Sequence, residues 1–338
     1  MKKRILWSGL FLLGILLLWR FLLGSDPSTT PVPPAPLRIA LDSWPGYAHA
    51  FLAEQKGLFA KQGVVVQLKL EKGPSDSLVD YKNGDVDGVM GVFSDAIILH
   101  AEGYPSRVVY VTDYSQAGDV IIGRPEYATL ADLKGHTVGF DGVGSFSHLF
   151  VTKALESQGV DETTVQFERV RAMDVLQALE TGRIDAGHTW QPVSSQALAK
   201  GYKILAQAGD FPGIITDTLF VDAKTATQRS AEVQAVIRAL LEAKHYLADH
   251  PEESLARMAK ATDMSVDEMA CGLREIRQAS LPDNRTAFTR SEDPYSLARI
   301  STFIVHFLLQ RGELQRFPNL AALIDGRFIQ AIQREQQP

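Results

Sequence analysis

Cysteine is almost absent from this chain. Cys271 is the only one in 338 residues, which excludes an intramolecular disulfide and any small disulfide-stapled framework. Excess positive charge is also missing. The formal net charge is −6, so the chain lacks the basic footprint of a nucleic-acid partner. Its eight histidines include no pair at metal-ligand spacing beside carboxylates, and no Gly-x-Ser-x-Gly elbow occurs. The Gly142-x-Gly144 loop lacks the rest of a dinucleotide fingerprint. These absences point away from an enzyme, a metal site and a bound cofactor. What is present is a globular composition, 45% hydrophobic and 22% charged.

The N-terminus carries the strongest local signal. Met1-Lys2-Lys3-Arg4 precedes an apolar run from Ile5 to Leu23, relieved only by Ser8, two glycines and Arg20. That is close to the ~20 residues that span a bilayer. The basic cluster predicts a cytoplasmic N-terminus with the rest exported. No Ala-x-Ala site and no cysteine follow the run, so residues 1–24 read as an uncleaved transmembrane signal anchor, with a cleaved signal peptide as the alternative and a lipidated leader excluded. Residues 25–36 hold five prolines and read as a stiff spacer.

Beyond Pro36, about 300 residues remain, enough for two lobes with their own cores. Short β-branched runs alternate with helical segments, which predicts an α/β fold with doubly wound, mainly parallel sheets. The order then repeats. Asn83-Gly84-Asp85-Val86-Asp87-Gly88 matches Thr181-Gly182-Arg183-Ile184-Asp185-Ala186 at an offset of 98, and Gly103-Tyr104 matches Gly201-Tyr202 at the same offset. Asp42 and Asp141, each closing a predicted strand, lie 99 apart. A near-constant offset argues for two lobes of one construction. After Gly213, Ser230–Asp249, Pro251–Ala261, Ser265–Ala279 and Pro294–Gly312 read as amphipathic helices. Chain crossings near Tyr114–Val120 and Pro212–Asp217 then assign 37–117 and 216–338 to lobe I and 118–215 to lobe II, joined so that they can close like a hinge.

In such sheets ligands bind beyond the carboxyl ends of the strands. Four loops qualify: 42–49, 93–95, 141–147 and 188–192. Trp44 and Tyr47 offer flat apolar surface with a polar edge. Ser94 and Ser147 stand where helix N-caps would present free amides to an oxyanion. Gly142, Gly144 and Ser145 let a ligand approach the backbone, whereas Asp42, Asp113, Asp141 and Asp217 suit an amine or amidine. Each has an ordinary reading too: Trp44 as a core cap, Asp42 and Asp141 as turn residues, Ser94 as a cap alone. The case rests on their sharing one face.

The stretch from Leu37 to Phe59, with Asp42-Ser43-Trp44-Pro45-Gly46-Tyr47 at its centre, resembles the opening of nitrate/sulfonate/taurine-type solute-binding proteins of ABC importers and the related thiamine-pyrimidine-precursor group. Asn83–Asp87, Asp113–Asp119, Leu133–Gly139, Gly144–His148, Gly182–Ala186 and Trp190-Gln191-Pro192 continue it in order. The resemblance implies a two-lobed periplasmic-binding-protein fold in which Trp44, Ser94, Gly144, Ser145 and Trp190 line the cleft. It implies a monomeric, periplasmic, non-enzymatic protein that hands a small organic solute to an ABC permease and ATPase. The apparent anchor departs from the family's usual leader. Asp42, Ser94-Asp95 and Asp113 make the cleft more acidic than an inorganic-anion site, which favours an amine-bearing or zwitterionic ligand. The alternatives are a membrane-tethered sensing module and a pyrimidine-biosynthesis-type enzyme.

Overall fold

Strand β1 (Leu37–Leu41) is buried along nearly all its length, as expected of a central strand covered on both faces. It pairs in parallel with β2 (Val66–Leu70) and β3 (Gly88–Val92). With β4 (Ser106–Ser115), β10 (Thr216–Asp222) and β11 (Ile276–Gln278) these form a six-stranded sheet in the order β11-β4-β10-β3-β1-β2. A second sheet has the order β7-β6-β8-β5-β9, from β5 (Val120–Gly123), β6 (Thr137–Phe140), β7 (Gln166–Arg169), β8 (Ala186–Thr189) and β9 (Lys203–Gln207). The structure, a computed structural model, describes residues 35–142 and 144–335.

The two sheets are built alike. The chain leaves the first sheet after β4, and β5 inserts antiparallel between β8 and β9 of the second. It returns after β9, and β10 inserts antiparallel between β3 and β4 of the first. Each sheet is therefore parallel apart from the strands that enter from the other lobe and the short edge strand β11. The result is an α/β, two-lobed fold.

The repeated motif has a physical cause. In the first sheet, helix α2 (Pro74–Asn83) is stopped by Gly84 in the left-handed region, φ 76°, where glycine alone is unstrained. Val86 then enters the core, and an Asp87 carboxylate oxygen accepts the Arg38 backbone N–H of β1 at 2.9 Å. In the second sheet Gly182 has the same φ of 76°, Ile184 is buried, and Asp185 accepts the Thr137 backbone N–H of β6 at 2.9 Å. Each aspartate ties the strand it leads into to its parallel neighbour, β1 in the first sheet and β6 in the second.

The helices used below are α1 (His49–Gln55), α2, α3 (Phe93–Ala101), α4 (Phe146–Ser157), α5 (Ser230–Asp249), α6 (Pro251–Ala261), α7 (Val266–Arg274) and α8 (Leu297–Gln310). Helix α5 buries Val233, Val236, Ile237, Leu240 and Leu241, the stripe that a period of 3.6 requires, and packs on α1. Two helices differ from the sequence reading. The segment expected to be helical over Ser265–Ala279 stops at Arg274 and becomes β11, because the edge of β4 takes it as a pairing partner; the Glu275 carbonyl accepts Gln116 and Ala117 N–H groups at 3.1 and 2.9 Å. Helix α8 starts at Leu297, later than the expected Pro294. The anchor at 1–24, and the spacer up to residue 34, lie outside the described residues. Among the described residues no helix is long and apolar enough to cross a membrane.

Replacing Asp87 or Asp185 by Ala strands a strand N–H and is expected to cost about 1–3 kcal/mol each. The aspartates serve different sheets, so the double variant should sum the single effects to within about 0.5 kcal/mol in urea melts. Marked non-additivity would mean that the two motifs do not act independently.

Candidate functional site

The loop after β1 is shaped by hydrogen bonds of its own residues. Asp42 Oδ1 accepts the Trp44 N–H at 2.9 Å, which folds the chain back and turns the indole toward the sheet. The Trp44 indole N–H donates to Asp113 Oδ1 at 3.0 Å, and the Tyr47 hydroxyl donates to Asp217 Oδ1. His49 Nδ1 donates to the Gly46 carbonyl at 2.7 Å and closes the turn. Asp113 and Asp217 face each other as cross-strand partners on β4 and β10, 0% and 2% exposed. Like charges so placed repel.

From the second lobe, Asp119 Oδ1 is held by His188 Nε2 at 2.9 Å, and His188 Nδ1 meets Ser147 Oγ at 2.6 Å. Ser147 Oγ in turn accepts the Asp141 backbone N–H at 3.3 Å. Trp190 meets Trp44 edge-on across the cleft, with ring centroids 6.4 Å apart, and Phe146 lies 6.0 Å from Trp190. Asp42, Trp44, Tyr47, Trp190 and Asp217 line one narrow inner cleft together with Asp119 and Phe146. Its free volume is about 20 Å³, room for roughly one water, so the lobes are closed on each other.

Polar contacts join the two lobes around this cleft. Ser75 donates to Asp141 at 3.1 Å, Arg171 pairs with Asp76 at 3.0 Å, and Gln191 donates to Glu275 at 3.0 Å. Asp95 on α3 lies near the Phe146 N–H at the start of α4.

The sequence-derived residues thus divide. Asp113 lies behind Trp44 rather than on the cleft wall. Asp95, Asp141, Gly144 and Ser145 line an adjoining opening of about 360 Å³, with Ser75 and Arg169. Ser94 is buried in the first turn of α3; it is not the N-cap, a place held by Val92, and its Oγ has no partner. Ser147 is likewise not the cap of α4, because Ser145 accepts the His148 N–H at 3.2 Å and leaves Ser147 for His188. Asp119, Phe146, Val92 and Ile215 were not read as cleft residues. For Asp119 the only signal was its place at the end of the Asp113–Asp119 stretch.

Burial dominates the electrostatics. It pushes the Asp42 carboxyl up to about 7, with the Asp119 and Asp141 charges adding, against the Trp44 N–H. Asp95 rises to about 7 through burial, then the Asp141 charge, opposed by the Phe146 N–H. Asp113 rises to about 6 through burial, relieved by the Trp44 indole and the Lys244 charge. Asp217 rises well above the carboxylate range through burial and its neighbour Asp113. Lys244, on α5, falls to about 7 through burial; its Nζ donates to the carbonyls of Thr112 and Ala279.

Two outcomes follow. Between about pH 4 and 7 the folded chain binds more protons at Asp42, Asp95, Asp113 and Asp217 than the unfolded chain does, so stability falls as pH rises. Lys244 has the opposite slope above pH 7, and buried His49, held well below the usual imidazole range, has it below pH 7, because in each case the unfolded chain holds the extra proton; the four carboxyls outweigh the one histidine. Melts should therefore show a higher Tm at pH 5 than at pH 7, each unit of carboxyl shift contributing about 1.4 kcal/mol; a Tm that climbs steadily from pH 5 to 7 contradicts this. Secondly, a Cβ on Gly46 would stand 2.1 Å from Asp113 Oδ2 and 2.6 Å from the Trp44 indole nitrogen. Gly46→Ala should cost about 1–3 kcal/mol and shift the tryptophan emission as Trp44 is displaced. An unchanged spectrum and melt would contradict the packing described.

Comparison with known proteins places this geometry. The chain is 31% identical over 144 residues to a putative aliphatic sulfonates-binding protein of Escherichia coli, a match covering 42% of this chain and 44% of that one, so under half of that relative's length. It is 25% identical over 237 residues to a formylaminopyrimidine-binding protein of Halalkalibacterium halodurans, covering 65% and 68%. It is 25% identical over 258 residues to a 4-amino-5-hydroxymethyl-2-methylpyrimidine phosphate synthase of Uromyces fabae, covering 73% and 72%. The crystal structure of the periplasmic aliphatic sulphonate-binding protein SsuA of E. coli superposes with a TM-score of 0.70 at 20% identity, over 85% of this chain and 96% of that one, which establishes the shared fold. The family model described as NMT1/THI5 like matches residues 44–254. The chain belongs to the NMT1/THI5-like family.

Proposed function

We propose that the protein is an extracytoplasmic solute-binding protein that captures a small organic nitrogen- or sulfur-containing compound between its lobes and delivers it to the permease of an ABC importer. Residues 37–117 with 216–338 form one lobe and 118–215 the other; the links after β4 and after β9 act as the hinge. The apolar run at 5–23 serves as a membrane tether, and Asp42, Trp44, Tyr47, Trp190 and Asp217 contact the solute. Asp95, Asp141, Gly144 and Ser145 stand at the entrance, with Ser94 and Asp113 supporting the wall. One observation carries the reading: Trp44 and Trp190, from different lobes, meet over buried carboxylates. A cleft of opposed aromatic and polar groups between two bodies that share two links suits capture by closure.

A second reading has support from the Uromyces fabae relative, which is named as a synthase. In that case the purified protein would form product from a pyrimidine precursor; as a binding protein it returns its ligand unchanged.

A thermal-shift screen against alkanesulfonates, taurine, pyrimidines, guanidines and amines tests the proposal. A ligand at 100 times its Kd should stabilise the protein by about 2.7 kcal/mol. Trp44→Ala should weaken that ligand at least about tenfold, since a buried aromatic anchor commonly contributes more than 1 kcal/mol. Turnover without any ligand-induced stabilisation would overturn it.

A further inference from the structure

Among the described residues, three acids, Asp42, Asp119 and Asp217, line the inner cleft, and no lysine or arginine does. Each has its Oδ1 committed within the protein: to the Trp44 N–H, to His188 and to the Tyr47 hydroxyl respectively. Asp217 Oδ2 and Asp113 Oδ2 are both buried with no donor from any other residue, and the two carboxyls are close enough to share a proton between them. A buried carboxylate oxygen left in this condition is strongly favoured by a donor that arrives with positive charge. Lys244 does not supply it, because its ammonium is spent on the Thr112 and Ala279 carbonyls behind the wall.

The start of α4 carries acidic company of its own. A helix N-terminus attracts an oxyanion through its free amides. At α4, however, Asp95 of the first lobe lies near the Phe146 N–H, and Ser145 Oγ takes the His148 N–H. An alkanesulfonate entering the inner cleft would meet Asp42, Asp119 and Asp217, with Asp95 beside the helix terminus.

We infer that the cleft recognises a small organic cation bearing N–H donors, of the amine, amidine or guanidine class, whose N–H groups donate to Asp217 Oδ2 and to Asp42. Trp44 and Trp190 line the same cleft at right angles to each other, and a ring face turned to the cation adds a cation–π attraction. This assignment of ligand class rests on the solute-binding reading. It requires N–H groups and not charge alone, since a cation without them leaves the Asp217 oxygen unpaired.

The test is a set of melts at pH 7.5 with millimolar ethylamine, acetamidine, methylguanidine, tetramethylammonium and ethanesulfonate. The three N–H cations are expected to include at least one that raises the Tm, while tetramethylammonium and ethanesulfonate leave it unchanged. Asp217→Asn keeps an acceptor for Tyr47 but cannot ionise when the cation arrives; it should weaken the stabilising cation at least tenfold. Its own ligand-free Tm should stay close to the wild type's, because Asp217 is protonated in the free cleft and Asn is a neutral replacement of the same shape, and that shows the variant is folded. Stabilisation by tetramethylammonium to the same extent overturns the N–H requirement. Stabilisation by ethanesulfonate alone overturns the ligand class and leaves the solute-binding reading standing. If no compound of either charge, nor any in the broader screen, moves the melt, both fall.

Discussion

Two carboxylates, Asp113 and Asp217, stand opposite each other on neighbouring strands with almost no access to water. A fold does not keep such a pair without cost, and much of the surrounding structure is organised around it. The Trp44 indole and the Tyr47 hydroxyl each neutralise one oxygen, which fixes both aromatic side chains. Position 46 must then be glycine, because Asp113 lies against its backbone. Lys244 provides the nearest compensating charge from α5, one layer behind the wall.

The same pair sits where the architecture changes direction. Asp217 lies on β10, the strand that re-enters the first sheet from the second lobe, and Asp119 immediately precedes β5, the strand that crosses the other way. A carboxylate next to each crossing places ligand charge and lobe movement in one region. Binding a cation there relieves repulsion while the aromatic pair Trp44 and Trp190 closes over it. Recognition and closure are thus a single event, as the two-state logic of hinge proteins requires.

The repeat could be read in the sequence because its carriers act locally. Gly84 and Gly182 stop helices, Val86 and Ile184 turn inward, and Asp87 and Asp185 reach only to the adjacent strand. The crossing strands could not be read in this way. Val120–Gly123 is four residues long and buried on both faces, so it has neither an alternation nor a direction of its own. β11 was read as helix because its strand character comes only from the exposed edge of β4. In the site, Trp44, Tyr47 and the aspartates were legible as types of residue at strand ends. Their partners were not. Ser145-Phe146-Ser147 offers two equivalent caps, and only the position of His188, forty-one residues on, decides which serine does what. Asp95 read as a cleft acid, and its nearness to the Phe146 N–H of the other lobe was not legible.

Calorimetric titration of a stabilising amidine or guanidine at pH 6.5, in two buffers of different ionisation enthalpy, tests the central claim most directly. Asp42 and Asp217 of the free cleft hold protons near neutrality, and an incoming cation displaces them. The observed heat should then differ between the buffers in proportion to their ionisation enthalpies, which corresponds to a net release of protons on binding. Equal heats in the two buffers, with binding intact, would show that the cleft carboxylates were already ionised as ordinary surface acids and would contradict the account.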